Sequence, residues 1–201
     1  GVLALTAARA PAGVSTAREI LDTAGVQGGL VTHVGCSDGK LTAALRIDDR
    51  FRVHGLAVDW ADLAAARETI RKAGLYGPVT VDRMVKGRLP YVDNLVNLLV
   101  VSDPSLVDAE EIDRVLRPDG VACIRRDGAP GGWVKRVKPR PAENDEWTHY
   151  MHSATGNAVS GDTAVGPPRR LQWVGSPRWS RHHEHMSSFS AMVSAGGRLF
   201  Y

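Results

Sequence analysis

The sequence predicts an α/β domain, a Rossmann-like three-layer sandwich with a mostly parallel sheet, followed by a short irregular β appendage. Three observations predict it. Short apolar runs rich in β-branched residues alternate with helix-like segments through the first 125 residues, as buried parallel strands and their crossovers do. The first run leads straight into the glycine turn Gly35-Cys36-Ser37-Asp38-Gly39, and the second ends on an acid, Asp59. Beyond Arg126 the alternation stops, and glycine, proline, tryptophan and histidine take over.

Taken in order, Ser15 is placed to cap a helix over Thr16–Ala24, which Gly25 stops. A strand is expected over Gly29–Val34, a helix over Lys40–Arg46, and a second strand from Phe51 to Asp59. Asp62 is placed to open a helix over Leu63–Lys72, closed by Gly74. Val79–Asp82 and Leu95–Val101 read as strands, Asp108–Leu116 as a helix closed by Pro118-Asp119-Gly120, and Val121–Ile124 as a further strand. Gly128, Pro130, Gly131, Gly132, Pro139 and Pro141 break any helix, so residues 127–146 read as a linker between a domain at 1–126 and a short-stranded segment at 147–201.

Composition narrows the function. The 201 residues are 43% hydrophobic with a formal charge of +3, but the charge is uneven. Residues 1–120 carry 14 basic and 16 acidic side chains, and residues 121–201 carry 11 and 6. No basic cluster is interleaved with aromatics, so a nucleic-acid partner is not expected. The two cysteines, Cys36 and Cys123, make neither a disulfide framework nor a CxxC metal pair. No apolar run approaches a membrane span. Val2-Leu3-Ala4-Leu5 with Ala8-Arg9-Ala10 resembles the end of a signal peptide, with an ordinary helix start as the alternative. The apolar Phe200-Tyr201 end suggests a fragment of a longer chain.

A strand, a glycine turn and a helix start together predict a pocket lined by backbone N–H groups. Asp59, 24 residues after Gly35, is placed to hydrogen-bond a ribose diol, and Trp60 beside it to stack on a base. Cys36 reads as a small residue packed in the turn, with a helix-start nucleophile as the alternative. Asp38 and Lys40 read as a dipole-favoured acid and a solvated lysine. Asn94 and Asn97 read as surface or strand-end residues. His149, His152, His182, His183 and His185 read as polar loop residues rather than metal ligands, a metal-dependent enzyme being the alternative.

Four stretches resemble class I S-adenosylmethionine-dependent methyltransferases. His33-Val34-Gly35-Cys36-Ser37-Asp38-Gly39 stands where that family has its acidic glycine-rich loop. Val58-Asp59 matches its ribose-binding acid, Leu89-Pro90-Tyr91-Val92-Asp93-Asn94 the stretch before its fourth strand, and Arg114-Val115-Leu116-Arg117-Pro118-Asp119-Gly120 the turn before its fifth. The resemblance implies S-adenosylmethionine as cofactor, a small-molecule methyl acceptor, and a cofactor site of His33, Gly35, Cys36, Ser37, Gly39, Asp59 and Trp60. It identifies no catalytic residue. The sequence departs from the family at His33 for the loop acid, Ser37 for the middle glycine, Val85 for the adenine-binding aspartate and Asn97 for an acid opening strand four. The alternative function is a non-catalytic structural or docking module.

The tail has its own resemblance. Asp145-Glu146-Trp147-Thr148-His149-Tyr150, the stretch from Gly166 to Trp173, and Arg178-Trp179-Ser180-Arg181-His182-His183 resemble the opening of exported proteins with a pyrroloquinoline-quinone-like β-propeller. That implies further blades of a parent chain as partners and an exported location. The methyltransferase resemblance implies the cytoplasm.

Overall fold

The computed structural model describes residues 12–164 and 191–200. The chain divides into two compact units, Gly1–Pro139 and Arg140–Tyr201. The first contains α1 (Ala12–Ala24), β1 (Gly29–Val34), α2 (Lys40–Ala44), β2 (Phe51–Ala57), α3 (Trp60–Lys72), β3 (Val79–Arg83), β4 (Val96–Val101), α4 (Ala109–Val115), β5 (Leu116–Arg125) and β6 (Trp133–Val137). They build one six-stranded sheet in the order β3-β2-β1-β4-β5-β6. Strands β1 to β5 run parallel, and β6 pairs antiparallel with β5 at the edge. This is the predicted Rossmann-like α/β fold.

The continuous apolar runs are buried on both faces. Leu98, Leu99, Val100 and Val101 of β4 are each 0% exposed. On one face Val31, Val53, Leu98 and Val100 pack with Ile20, Leu63 and Ile70 of α1 and α3. On the other, Val34, Leu56, Leu99 and Val101 pack with Ile112 and Val115 of α4 and with Met84 and Leu89. Those last two belong to residues 84–95, a connection from β3 to β4 that has no helix.

An ionic clasp shapes that connection. Glu111 is buried and accepts Leu89 N–H at 2.7 Å. Arg114, one turn along α4, binds both Glu111 oxygens at 2.7 Å and donates to the Tyr91 and Leu89 carbonyls and to Asp93. The Glu111 carboxyl is held below its usual range by the Arg114 guanidinium. One helix thus satisfies the polar backbone of a loop that has no ladder of its own.

Several element limits differ from expectation, for local reasons. α1 begins at Ala12, ahead of Ser15. β2 stops at Ala57, and α3 opens at Trp60 with Asp59, not Asp62, in the extended N-cap conformation. α4 is capped by Asp108, which accepts Glu111 N–H at 2.8 Å. β5 begins at Leu116 and passes a register shift opposite Val96 and Leu98. There Asn97 accepts Leu30 N–H at 2.9 Å, so it stitches the entry of β1 to β4.

One difference lies in the stretch read as a linker over residues 127–146. The two units do part inside it, after Pro139. Its first part is a hairpin, in which Gly128, Pro130, Gly131 and Gly132 make the turn between β5 and β6, pairing Arg125 with Trp133 and Val121 with Val137. Turn-forming residues end a helix and reverse a strand equally well, so composition alone did not distinguish the two.

In the second unit, β7 (Val193–Ala195) and β8 (Arg198–Phe200) form an antiparallel hairpin around Gly196-Gly197. Ser194 N–H donates to the Trp147 carbonyl at 2.7 Å. Among the described residues, no helix is long and apolar enough to cross a membrane.

Candidate functional site

The strand order turns back beside β1, with β2 on one flank and β4 on the other. The crevice beyond the carboxyl ends of β1 and β4 is therefore the topological switch point, where open α/β sheets bind ligands. The Gly35–Gly39 turn leaves β1 there, and Ser102-Asp103 leaves β4. A Cβ on Gly35 (φ +80°) would stand 3.3 Å from Asp103 N. Gly39 (φ +75°) is the residue before α2, and a Cβ on it would stand 2.7 Å from the Cα of Ala66. The turn fits against α3 only because nothing projects from Gly39.

The turn is closed on itself. Gly35 and Cys36 N–H both donate to the Leu56 carbonyl, Gly39 N–H to the Cys36 carbonyl, and Lys40 N–H to Asp38 Oδ1. The expected cradle of N–H groups is therefore not present at those positions. The same donors instead tie the turn to the end of β2. That tie brings the turn beside the segment leading to Asp59.

The predicted site residues fall into two sets. His33 and Cys36 point inward. His33 is 3% exposed, with Nδ1 2.8 Å from Thr42 Oγ1 and Nε2 2.7 Å from Ser102 Oγ. Burial pushes its imidazole down to about 4, so the ring is uncharged at neutral pH. It links β1, α2 and the end of β4, and both nitrogens are already engaged. Cys36 is buried, and burial pushes its thiol up to about 12, which removes the nucleophile alternative.

Ser37, Asp59 and Trp60 point outward. Ser37 is exposed in the turn. Asp38 beside it is paired with Lys40 at 2.7 Å. Asp59 is exposed, and its carboxylate makes no capping bond to α3. Trp60 is 66% exposed, with the Arg83 guanidinium 5.0 Å from its ring centroid. Arg83 Nε is anchored on the Val58 carbonyl at 3.1 Å.

A polar chain crosses the sheet behind this end. Tyr91 Oη lies 2.6 Å from His54 Nδ1, and His54 Nε2 lies 3.1 Å from Asp82 Oδ2. A carboxylate only accepts, so in the neutral ring Nε2 carries the proton and Nδ1 accepts from Tyr91. Burial pushes the Tyr91 hydroxyl up to about 12. Arg67 also binds Asp82, at 3.2 Å.

Sequence reasoning missed Thr42 and Ser102 as partners of His33, and Arg83 as partner of Trp60. Ser102 is 69 residues from His33, and no local signal joins them. Of the histidines, His149 and His152 bridge a tight turn, and His152 binds Asp145 at 2.6 Å. His182, His183 and His185 lie outside the described residues. Among the described residues, no group of three or more His, Cys, Asp or Glu side chains is arranged to hold a metal ion.

Comparison with solved structures finds proteins of the same fold. A protein from Methanococcus maripaludis, assigned as an S-adenosyl-L-methionine-dependent methyltransferase, matches at 22% identity and TM-score 0.51, over 56% of this chain and 54% of its own. Geranyl diphosphate C-methyltransferase from Streptomyces coelicolor, solved with Mg2+, geranyl diphosphate and S-adenosyl-L-homocysteine, matches at 18% and TM-score 0.50, over 55% of this chain and 44% of its own. The first unit has the methyltransferase fold. The match spans about half the length of these methyltransferases. No family model and no curated protein matches the chain. Within the methyltransferase fold, the closed turn and Asp59 stand at the ends of neighbouring strands β1 and β2.

Proposed function

We propose that the first unit binds S-adenosylmethionine at the switch point and transfers its methyl group to a small molecule. The observation that carries this reading is a closed glycine turn beside an exposed Asp59 carboxylate. A pyrophosphate takes several N–H donors from such a turn, and those of Gly35, Cys36, Gly39 and Lys40 are already spent within the fold, which leaves only Ser37 and Asp38 in the turn to offer one. A phosphate-free nucleoside does not need them. Asp59 can accept both hydroxyl hydrogens of a ribose diol, and Trp60 presents a face to the base. Gly35 and Gly39 keep side chains out of the turn, and Ser37 adds one exposed hydroxyl.

When bound, the cofactor supplies a methyl group on a positively charged sulfur, open to in-line attack. The chain's part is to orient the acceptor at near-attack distance and to keep water out. His33, uncharged and bonded inward, holds the β1 and β4 ends in register rather than contributing charge.

Titration calorimetry with S-adenosylhomocysteine tests the reading. Asp59→Ala is expected to weaken binding by ~1.5–3 kcal/mol, the loss of a charge-assisted hydrogen bond. Absence of heat at millimolar ligand, or unchanged affinity in the variant, overturns it. The inward ties of His33 favour a second reading, a docking module that keeps the fold without transfer. Binding without turnover on any small-molecule acceptor would select it. For the tail we propose the opening of a first propeller blade, on the sequence resemblance of the aromatic-rich stretches that precede the β7–β8 hairpin in the chain. Compartment divides the same way, cytoplasmic for the methyltransferase and exported for the propeller protein.

A further inference from the structure

The end of β4 brings a carboxylate to the flank of the crevice opposite Asp59. Ser102 N–H donates to the Val34 carbonyl at 3.0 Å, so β4 stays paired with β1 as far as the glycine turn. His33 Nε2, 2.7 Å from Ser102 Oγ, fixes the same junction. The next residue, Asp103, is therefore packed against the turn. A Cβ on Gly35 would stand 3.3 Å from Asp103 N and 3.4 Å from Asp103 Cβ. Asp103 is exposed. Its Oδ1 accepts Ser105 N–H at 2.9 Å and caps the short 3-10 turn Pro104–Leu106, which holds the carboxylate in place. A carboxylate has about four lone-pair positions, so this one cap does not exhaust it.

We propose that Asp103 takes the α-ammonium group of S-adenosylmethionine. The inference rests on the reading of the site given above and adds the group that holds the amino-acid end of the cofactor. In that reading Asp59 takes the ribose at the end of β2, and the base lies against Trp60, on the side where Arg83 ends β3. Base and 5′ chain leave a ribose on opposite sides of its ring oxygen. The thioether chain therefore runs the other way, over β1 and towards β4. Neighbouring strands are about 4.8 Å apart, so the ends of β2 and β4 are about 10 Å apart. The ribose, C5′, the sulfur and two methylenes cover that gap. A cation leaving water needs a strong acceptor. His33 is not that acceptor, because its ring is uncharged and both of its nitrogens are engaged. Of the neighbouring acids, Asp38 is paired with Lys40 at 2.7 Å, and Asp62 lies in the first turn of α3, on the β2 side. Asp103 is the carboxylate that the β1–β4 pairing delivers to the far end of the cofactor.

The experiment is calorimetric titration of the whole chain with S-adenosylhomocysteine and with its des-amino analogue, which lacks only the α-ammonium. S-adenosylhomocysteine is expected to bind at least about tenfold more tightly, the worth of a charge-assisted hydrogen bond. Asp103→Asn keeps an oxygen for the Ser105 cap and removes the charge. It should weaken S-adenosylhomocysteine by that same factor and leave the des-amino compound within about twofold, so that the preference disappears. Asp59→Ala should weaken both compounds equally and keep the preference, which separates the two ends of the site. A preference that persists in Asp103→Asn, or is missing from the wild-type chain, overturns the proposal while leaving the nucleoside site standing. So does an equal loss for both compounds in Asp103→Asn, because Asp103 would then shape the turn without reading the ammonium. Failure of both compounds to bind the wild-type chain overturns the site reading and this proposal together.

Discussion

The two units hold themselves together by different physics. The first is dry: the buried hydrophobic side chains of the described residues all lie in Gly1–Pro139, and they cover both faces of the sheet. The described part of the second unit gathers instead on one carboxylate. Asp145 accepts from His152 Nε2 at 2.6 Å, Gly161 N at 2.6 Å, Glu146 N at 2.8 Å and Ser160 Oγ at 3.3 Å. The T-shaped Trp147–His152 pair packs beside it, its ring centroids 5.2 Å apart. Apolar burial is non-directional and tolerates salt and pH, whereas a charge-centred cluster depends on both. The difference explains why a glycine turn can be held firmly in the first unit. It also says where each unit should fail.

The largest effect should come from the dry core. Leu99→Ala removes a side chain that is 0% exposed at the centre of the sheet, on the α4 face. The expected loss is about 2–5 kcal/mol, read from denaturant midpoints. A loss under 1 kcal/mol would mean that the α4 layer is loosely packed, and the contrast between the units would weaken. Close behind is Glu111→Ala. It frees Arg114 and strands Leu89 N–H, at a cost of about 3 kcal/mol, the lower end for breaking a buried pair because Arg114 stays partly solvated. Chemical shifts of residues 88–93 should move in that variant, and those of β1 should not.

Acid should weaken the units in sequence. The His33 ring is charged in the unfolded chain below its ordinary 6.5 but stays neutral in the fold down to about 4. Between those values the unfolded chain binds more protons, so stability is full above about 6.5 and falls as pH drops towards about 4. The loss is on the order of 3 kcal/mol, and His33→Gln should flatten the slope. Asp145 moves in the same direction, but in a lower pH window. Its carboxyl is held at about 2 by the Gly161 N–H first and then by His152, against an ordinary 3.8, so its stabilisation is intact above about 4 and is lost as pH falls towards about 2. Hydrogen exchange at stepped pH should show β1 and β4 amides weakening first and the Gly161 amide later. The reverse order would refute both assignments.

Much of the first unit was legible because its signals are local. Apolar runs of β-branched residues marked β1 and β4, and the helix expected over Asp108–Leu116 is α4 within a residue at each end. The glycine turn and Asp59 were found by spacing. What stayed hidden depends on distant partners. Arg114 reads as a helix residue until Leu89, Tyr91 and Asp93 are seen under its guanidinium. His33 reads as a substituted ligand until Thr42 and Ser102 close on its two nitrogens. Residues 127–132 read as part of the linker expected over 127–146 because hairpin turns and linkers draw on the same residues.

The smallest effect sharpens the comparison most. Asp145→Asn keeps the shape of the side chain but replaces one acceptor oxygen with a donor. Gly161 N–H and His152 Nε2 both approach Oδ2, so one amide orientation sets NH2 against both donors. The other orientation satisfies them and turns the NH2 towards Glu146 N–H, which bonds Oδ1. Either way a donor is left facing a donor, and the charge that strengthens each bond is gone. The cluster is solvent-accessible, so water can replace what is lost and the cost stays local. The expected outcome is a shift of the Trp147 indole and His152 ring signals and faster exchange at Gly161. The denaturation midpoint followed through β1 and β4 amides should be unchanged. A lowered midpoint there would mean that the units unfold as one, and the distinction between a dry unit and a charge-centred one would not describe their stability.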